Sequence, residues 1–187
     1  MNILSVRHAT FALPVLALGL ALAWSVPANA VPPAGVPAAD NPSQAHKDLA
    51  WLRRSTAAFH DIETAAAAEW TTDITGCLDD PAGGMGHHIA NLGALFDGGA
   101  LEVGRPETLI YEPQADGSMR LVAVEYIIPE DDLARTEPAP ELLGEHFHFN
   151  EVFGVWALHA WVWQHNPDGM FADWNPEVSC EFAQPAA

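Results

Sequence analysis

Cys77 and Cys180 are the only cysteines in this 187-residue chain, and neither has a C-x-x-C partner. An even count at such a separation is most simply one disulfide, formed in an oxidising compartment. It would close a loop of about a hundred residues, worth roughly 4 to 5 kcal/mol in the chain-entropy model. Nearly all of the strand-like sequence lies inside that loop. A reactive thiol or a metal thiolate is the competing reading. No C-x-x-C-H occurs, so covalent c-type haem has no support.

The N-terminus is consistent with that compartment. MNILSVRH carries one positive side chain, Arg7, before the apolar run ATFALPVLALGLALAW. SVPANA then ends in Ala28-Asn29-Ala30, an A-x-A cleavage pattern. Residues 1–30 therefore read as a signal peptide. A retained anchor is the alternative, but the run is short for a span of roughly 20 residues and contains Pro14. Residues 31–42 are rich in Pro and Ala and read as a spacer. Residues 43–182 have the size of a single domain, and 183–187 read as a frayed tail. The expected location is periplasmic or secreted. The formal net charge is −18, and signal removal makes it one unit more negative. Such acidity argues against nucleic acid and against anionic membrane surfaces, and it keeps an exported protein soluble.

SQAHKDLAWLRRSTAAFHDIETAAAAEW is the clearest helix. Leu49, Leu52, Phe59, Ile62 and Ala66 recur at helical spacing, and Asn41 or Ser43 can cap it. After Cys77 the pattern turns to strands. DDPAGGMG reads as a loop, HHIA as a short strand, NLGALF as a helical turn and ETLIYEP as a strand. ADGS suits a hairpin turn. MRLVAVEYIIPE is the strongest strand, being β-branched, aromatic and uninterrupted. GVWALHAWVWQHNPDG is another, ending in a turn. The expected class is α+β: an N-terminal amphipathic helix on a mostly antiparallel sheet, closed by one disulfide.

Side chains alternate between the faces of a strand. Leu121, Ala123, Glu125 and Ile127 therefore share one face of the first strong strand. Val155, Ala157, His159, Trp161 and Trp163 share one face of the second. Each row places one ionisable group among apolar neighbours, and a buried carboxylate is costly unless paired, hydrogen-bonded or metal-bound. His87 and His88 must face opposite ways on a strand, and Ala90 shares the parity of His88. A set of His88, Glu125 and His159 would be a two-histidine, one-carboxylate constellation that leaves positions open on Zn, Cu, Fe or a similar divalent ion. The competing reading is a hydrogen-bonded polar cluster without metal.

Other residues are weaker candidates. His146 and His148 form H-x-H, a metal spacing, with Glu151 close behind. Glu112 is a second acid in a strand. His60 and Glu63 are neighbours if they share a helix, and His165 suits a turn. The tryptophans and phenylalanines between residues 147 and 174 read as core on both faces of a strand. Their alternative is an apolar pocket for a flat ligand or for haem with an axial histidine. Ser118 and Ser179 lie outside any G-x-S-x-G motif, and there is no Gly-rich phosphate loop.

GMGHHIAN, RPETLIYEPQADGSMRLVAVEYIIP and LHAWVWQHNPDGMFADWNPEVSC resemble segments of an uncharacterised family of exported bacterial proteins. That family carries a GMG-x-H segment, a VAVE strand, an LHVW-type strand and two cysteines. The resemblance covers about residues 45–180 and implies no particular activity. It matches His88, rather than His87, to the shared histidine, and puts Glu125 and His159 in matching segments. His146 and His148 fall outside any shared pattern.

Three function classes follow. The first is an exported metal-binding protein built on His88, Glu125 and His159, which, if catalytic, would use the metal to activate water or oxygen. The second is an envelope module holding an apolar ligand or haem. The third is a structural domain with a buried polar cluster.

Overall fold

The structure is a computed structural model that describes residues 42–184. The expected signal peptide, the spacer up to residue 41 and residues 185–187 of the tail lie outside the described residues. The fold is α+β, with helices packed on a curled antiparallel sheet.

The N-terminal helix is shorter than its periodicity suggests. Helix α1 spans Pro42–Thr56, a 3-10 turn spans Ala57–His60, and α2 spans Ile62–Ala67. The interruption has two causes, one distant in sequence and one local. The Tyr111 hydroxyl donates to the Phe59 carbonyl at 2.6 Å. The Glu63 N–H, which would reach that carbonyl in a continuous helix, donates instead to the Asp61 carboxylate. Asp61 thus acts as an N-cap, accepting from the Thr64 hydroxyl as well. The restart shifts the phase, so Ala65 rather than Ala66 is buried beside Leu52, Phe59 and Trp70. It also ends the helical relation between His60 and Glu63. His60 instead meets the Trp163 ring edge-on at 4.5 Å.

Six strands form one sheet in the order β1-β2-β3-β4-β8-β7, every pair antiparallel. They are β1 (Thr72–Asp80), β2 (Gly83–Ala90), β3 (Thr108–Pro113), β4 (Met119–Pro129), β7 (His148–Asn150) and β8 (Val155–Ala160). Strands β5 (Glu141–Leu142) and β6 (Glu145–His146) pair separately, and α3 (Leu92–Leu95) follows β2. The Asn91 side chain caps α3 by accepting from the Ala94 N–H.

DDPAGGMG is therefore a hairpin and not a loop, its turn confined to Pro81 and Ala82. Its glycines serve close approach. A Cβ on Gly83 would lie 2.4 Å from the Asn175 carbonyl, and one on Gly84 2.6 Å from the Val178 oxygen. The Gly84 N–H donates to both carbonyls at 3.0 Å. The C-terminal segment is thereby strapped along β2, and the Cys77–Cys180 disulfide fastens it to β1 with the two Cα atoms 5.8 Å apart.

The sheet has two buried faces. Val124, Tyr126, Ile128, Trp156, Leu158 and Ala160 pack against the helices. The opposite face carries Ala123, Glu125, Ile127, Ala157 and His159. Leu121 departs from the alternation expected of β4. Tyr111 pairs with Leu121 and Ile110 with Ala123, leaving Val122 as an extra residue. This bulge turns Leu121 to the helix side. The freed Val122 carbonyl accepts from the N–H groups of Trp163 and Gln164. Strand β8 ends at Ala160 for the same reason, since the following residues cross over to that carbonyl. Trp163 then reaches the helix side and donates to the Thr56 hydroxyl, whereas Trp161 stays beside His159. The expected five-residue row on β8 is correct only for its first three members and Trp161.

Glu107, just before β3, is a buried acid with no sequence signal. Burial pushes its carboxyl from an ordinary value of 4.5 up to about 8, against the N–H of Ile127, which donates to it at 3.0 Å. The folded state therefore keeps a proton that the unfolded chain has lost. Stability from this group is complete below pH 4.5, declines as pH rises through the interval to 8, and is level above it. Glu107→Gln is expected to remove that decline, about 1.4 kcal/mol per pH unit at its steepest. Denaturant unfolding from pH 4 to 9 measures it, and parallel pH profiles for the two proteins would refute it.

Candidate metal centre

Strand register brings the three central residues together. Glu125 on β4 pairs directly with His159 on β8. Glu125 also pairs with Thr108 on β3, and His88 on β2 pairs with the next inward-facing residue of β3, Ile110. His88 thus reaches Glu125 across β3, over the small side chain of Thr108. The Thr108 hydroxyl lies 3.4 Å from Glu125 Oε2. His88, Glu125 and His159 are 2%, 6% and 3% exposed.

The donor geometry is tight. His88 Nε2 lies 3.5 Å from Glu125 Oε2, and His159 Nε2 lies 3.4 Å from Glu125 Oε1. One donor atom from each residue falls within 4.8 Å of the others. Two donors held about 2.1 Å from a tetrahedral ion lie roughly 3.4 Å apart, so the observed spacings can hold a metal.

The outer nitrogens are oriented too. His88 Nδ1 lies 3.0 Å from the Thr75 hydroxyl, which itself donates to the Gly76 carbonyl at 2.8 Å. One hydroxyl proton cannot serve both, and this arrangement suits the tautomer in which His88 donates from Nδ1 and presents the Nε2 lone pair towards Glu125. Thr75 reaches His88 because β1 is bulged there: Ile74, Thr75 and Gly76 together oppose the single residue His88. On the other side, His159 Nδ1 faces Asp173 Oδ1 at 3.6 Å, and its ring stacks on Trp161. A carboxylate behind a histidine is the usual outer partner of a metal ligand.

Electrostatics separates the two histidines. Burial holds His88 below its ordinary pKa, with Glu125 opposing and His159 reinforcing the shift. The ring is therefore neutral, the form that binds metals. Burial acts the same way on His159, but Glu125 and Asp173 together outweigh it and raise its pKa. Neither nitrogen of His159 makes a well-formed hydrogen bond among the described residues; Glu125 at 3.4 Å and Asp173 at 3.6 Å face them as ion-pair partners. An unsatisfied buried polar group costs about 1–3 kcal/mol.

A cavity of about 110 Å³ opens over the cluster. Its floor is His88, Glu125 and His159, and its walls are mostly apolar. A second, more open depression of about 390 Å³ includes Trp161, Trp163 and Arg53.

The remaining expectations fall elsewhere. His87 points away from His88 and bonds Asp73 at 2.7 Å. Glu112 lies outside the cluster and acts as a clamp: it pairs with Arg120 and accepts from the Ser179 N–H of the C-terminal strap. His146 and His148 do not act as one H-x-H unit, because they sit on β6 and β7 in different sheets, both exposed. His148 comes only within 3.9 Å of Asp173. His165 is exposed at its turn.

Thr75, Asp173 and Glu107 escaped sequence reasoning. Only Thr75 had a signal: strands were expected after Cys77, whereas β1 begins at Thr72, and a glycine inside a strand, here Gly76, marks a bulge. Compared with known protein families, curated proteins and solved structures, the chain has no match.

Proposed function

We propose that this chain is an exported metal-binding protein in which His88, Glu125 and His159 hold one divalent ion, Zn, Cu or Fe. The observation that carries the reading is a buried histidine, carboxylate, histidine set with metal-compatible spacing, in which His159 has no other partner for its inner nitrogen. Three protein ligands leave coordination open, and a metal so held supplies Lewis acidity or an activated water. Export is supported by the leader pattern and by the Cys77–Cys180 disulfide. In this reading the chain is one of the exported proteins sharing GMG-x-H, VAVE and LHVW-type segments, and the cluster is what those segments build. The cavity over the cluster, about 110 Å³, lies below the roughly 300–1,000 Å³ of sites for drug-sized ligands, which supports an ion with a small ligand over haem at these three residues.

The test is the metal content of untagged protein purified from an oxidising compartment, beside a His88→Ala/His159→Ala variant. Near-stoichiometric metal in the first and none in the second is the expected result. No metal in the native protein, and none taken up from Zn²⁺, Cu²⁺ or Fe²⁺, would refute the proposal. Asp173→Asn keeps the ligands but replaces the carboxylate behind His159 with a neutral amide, and a competition titration should show affinity lowered about 10- to 100-fold. Unchanged affinity would remove Asp173 from the site.

A further inference from the structure

The cavity over the cluster is polar at its floor and apolar along its sides. Leu78, Met85, Ile127 and Val155 contribute walls, and Ile74 and Phe153 stand at the rim, 39% and 56% exposed. Phe153 is held there by local chemistry. Asn150 Oδ1 accepts from the N–H groups of Val152 and Phe153, folding the tip between β7 and β8 over the opening. A large exposed aromatic at the mouth of a cavity lined by aliphatic side chains has a use if apolar matter passes it. On the floor, His159 is buried and its nitrogens make no well-formed hydrogen bond among the described residues.

Size and charge narrow the occupant. A cavity of about 150 Å³ lined by apolar side chains holds benzene, so about 110 Å³ suits a molecule of roughly five heavy atoms. Neither Lys nor Arg lines it, and the chain as a whole carries a charge of −18. An anionic head could reach the bound metal, but only beside Glu125, with no Lys or Arg to share its charge and against the field of the whole chain. A cationic head would meet the bound metal. An uncharged head also costs least to desolvate.

We propose that this cavity binds a small uncharged aliphatic molecule with one terminal oxygen, of the alcohol or aldehyde class, with its oxygen at the cluster and its chain between Ile127 and Val155. The oxygen's bond to metal rests on the metal reading, whereas burial of the chain does not.

The experiment follows the methyl signals of Met85, Ile127 and Val155 by NMR in the disulfide-intact protein, with and without Zn²⁺. The probes are 1-butanol, butyrate and butylammonium. Saturable shifts with butanol, with affinity at least about tenfold above either charged probe, are expected. Val155→Phe, which fills the cavity from a partly buried wall, should abolish them while Zn²⁺ still binds. Phe153→Asp, at the exposed rim, should weaken them. Zn²⁺ binding without any butanol response would overturn the ligand and leave the metal standing. Butanol binding without Zn²⁺ uptake would do the reverse. Tighter butyrate binding, or shifts indifferent to both variants, would overturn the proposed ligand class or its place.

Discussion

Replacing Cys77 and Cys180 by serine is expected to lower the unfolding free energy by about 4 to 5 kcal/mol. The bond joins residues 103 apart in sequence, and a loop of that length removes about this much entropy from the unfolded chain. The loss should be felt beyond the two sulfurs. The strap that ends at Cys180 supplies Asn175 and Val178 to the β2 glycines, Ser179 to Glu112, and Asp173 to His159. Denaturant unfolding of the oxidised protein, the reduced protein and the double serine variant provides the measurement. A difference below about 1 kcal/mol would mean that non-covalent contacts alone hold the strap.

The second large effect concerns the cluster in the absence of metal. Glu125→Ala leaves His159, the histidine whose pKa is raised, without its carboxylate, and breaking a buried charge pair costs about 3–5 kcal/mol. Replacing all three residues together by leucine or methionine should behave differently. It removes every unsatisfied polar atom while keeping the volume filled, and such exchanges are neutral or stabilising by about 1–4 kcal/mol. The contrast separates two purposes. If the triple variant is at least as stable as the native metal-free protein, the fold carries the cluster at a cost, and its purpose is a ligand. If it is destabilised as much as the single variant, the polar cluster serves the architecture.

Much of this site was legible because β-strand alternation is a local rule. Glu125 and His159 each sit midway along a strand of apolar neighbours, and the structure pairs them across β4 and β8. The choice between His87 and His88 also followed from alternation, together with the parity of Ala90 and a family resemblance. The rule failed where the backbone departs from a regular ladder. Leu121 faces the helices because Val122 is bulged, and Trp163 leaves the sheet to answer the Val122 carbonyl. Both facts depend on partners distant in sequence. The helix broke at Phe59 because Tyr111, 52 residues away, claims its carbonyl. Asp173 and Glu107 were illegible, since each becomes significant only through the residue it meets in space.

The bulge at Ile74, Thr75 and Gly76 has a consequence apart from His88. Strand β1 is an outer strand, and a straight outer strand offers its unpaired backbone to any other chain. Here the extra residues bend it, and Asp73, Asp79 and Asp80 set negative charges along it. At the other margin, β7 is only three residues long. Neither margin offers a long, regular template, so two copies meeting edge to edge would find little to zip together. The irregularity that turns a threonine towards a histidine also keeps the sheet from growing into its neighbours.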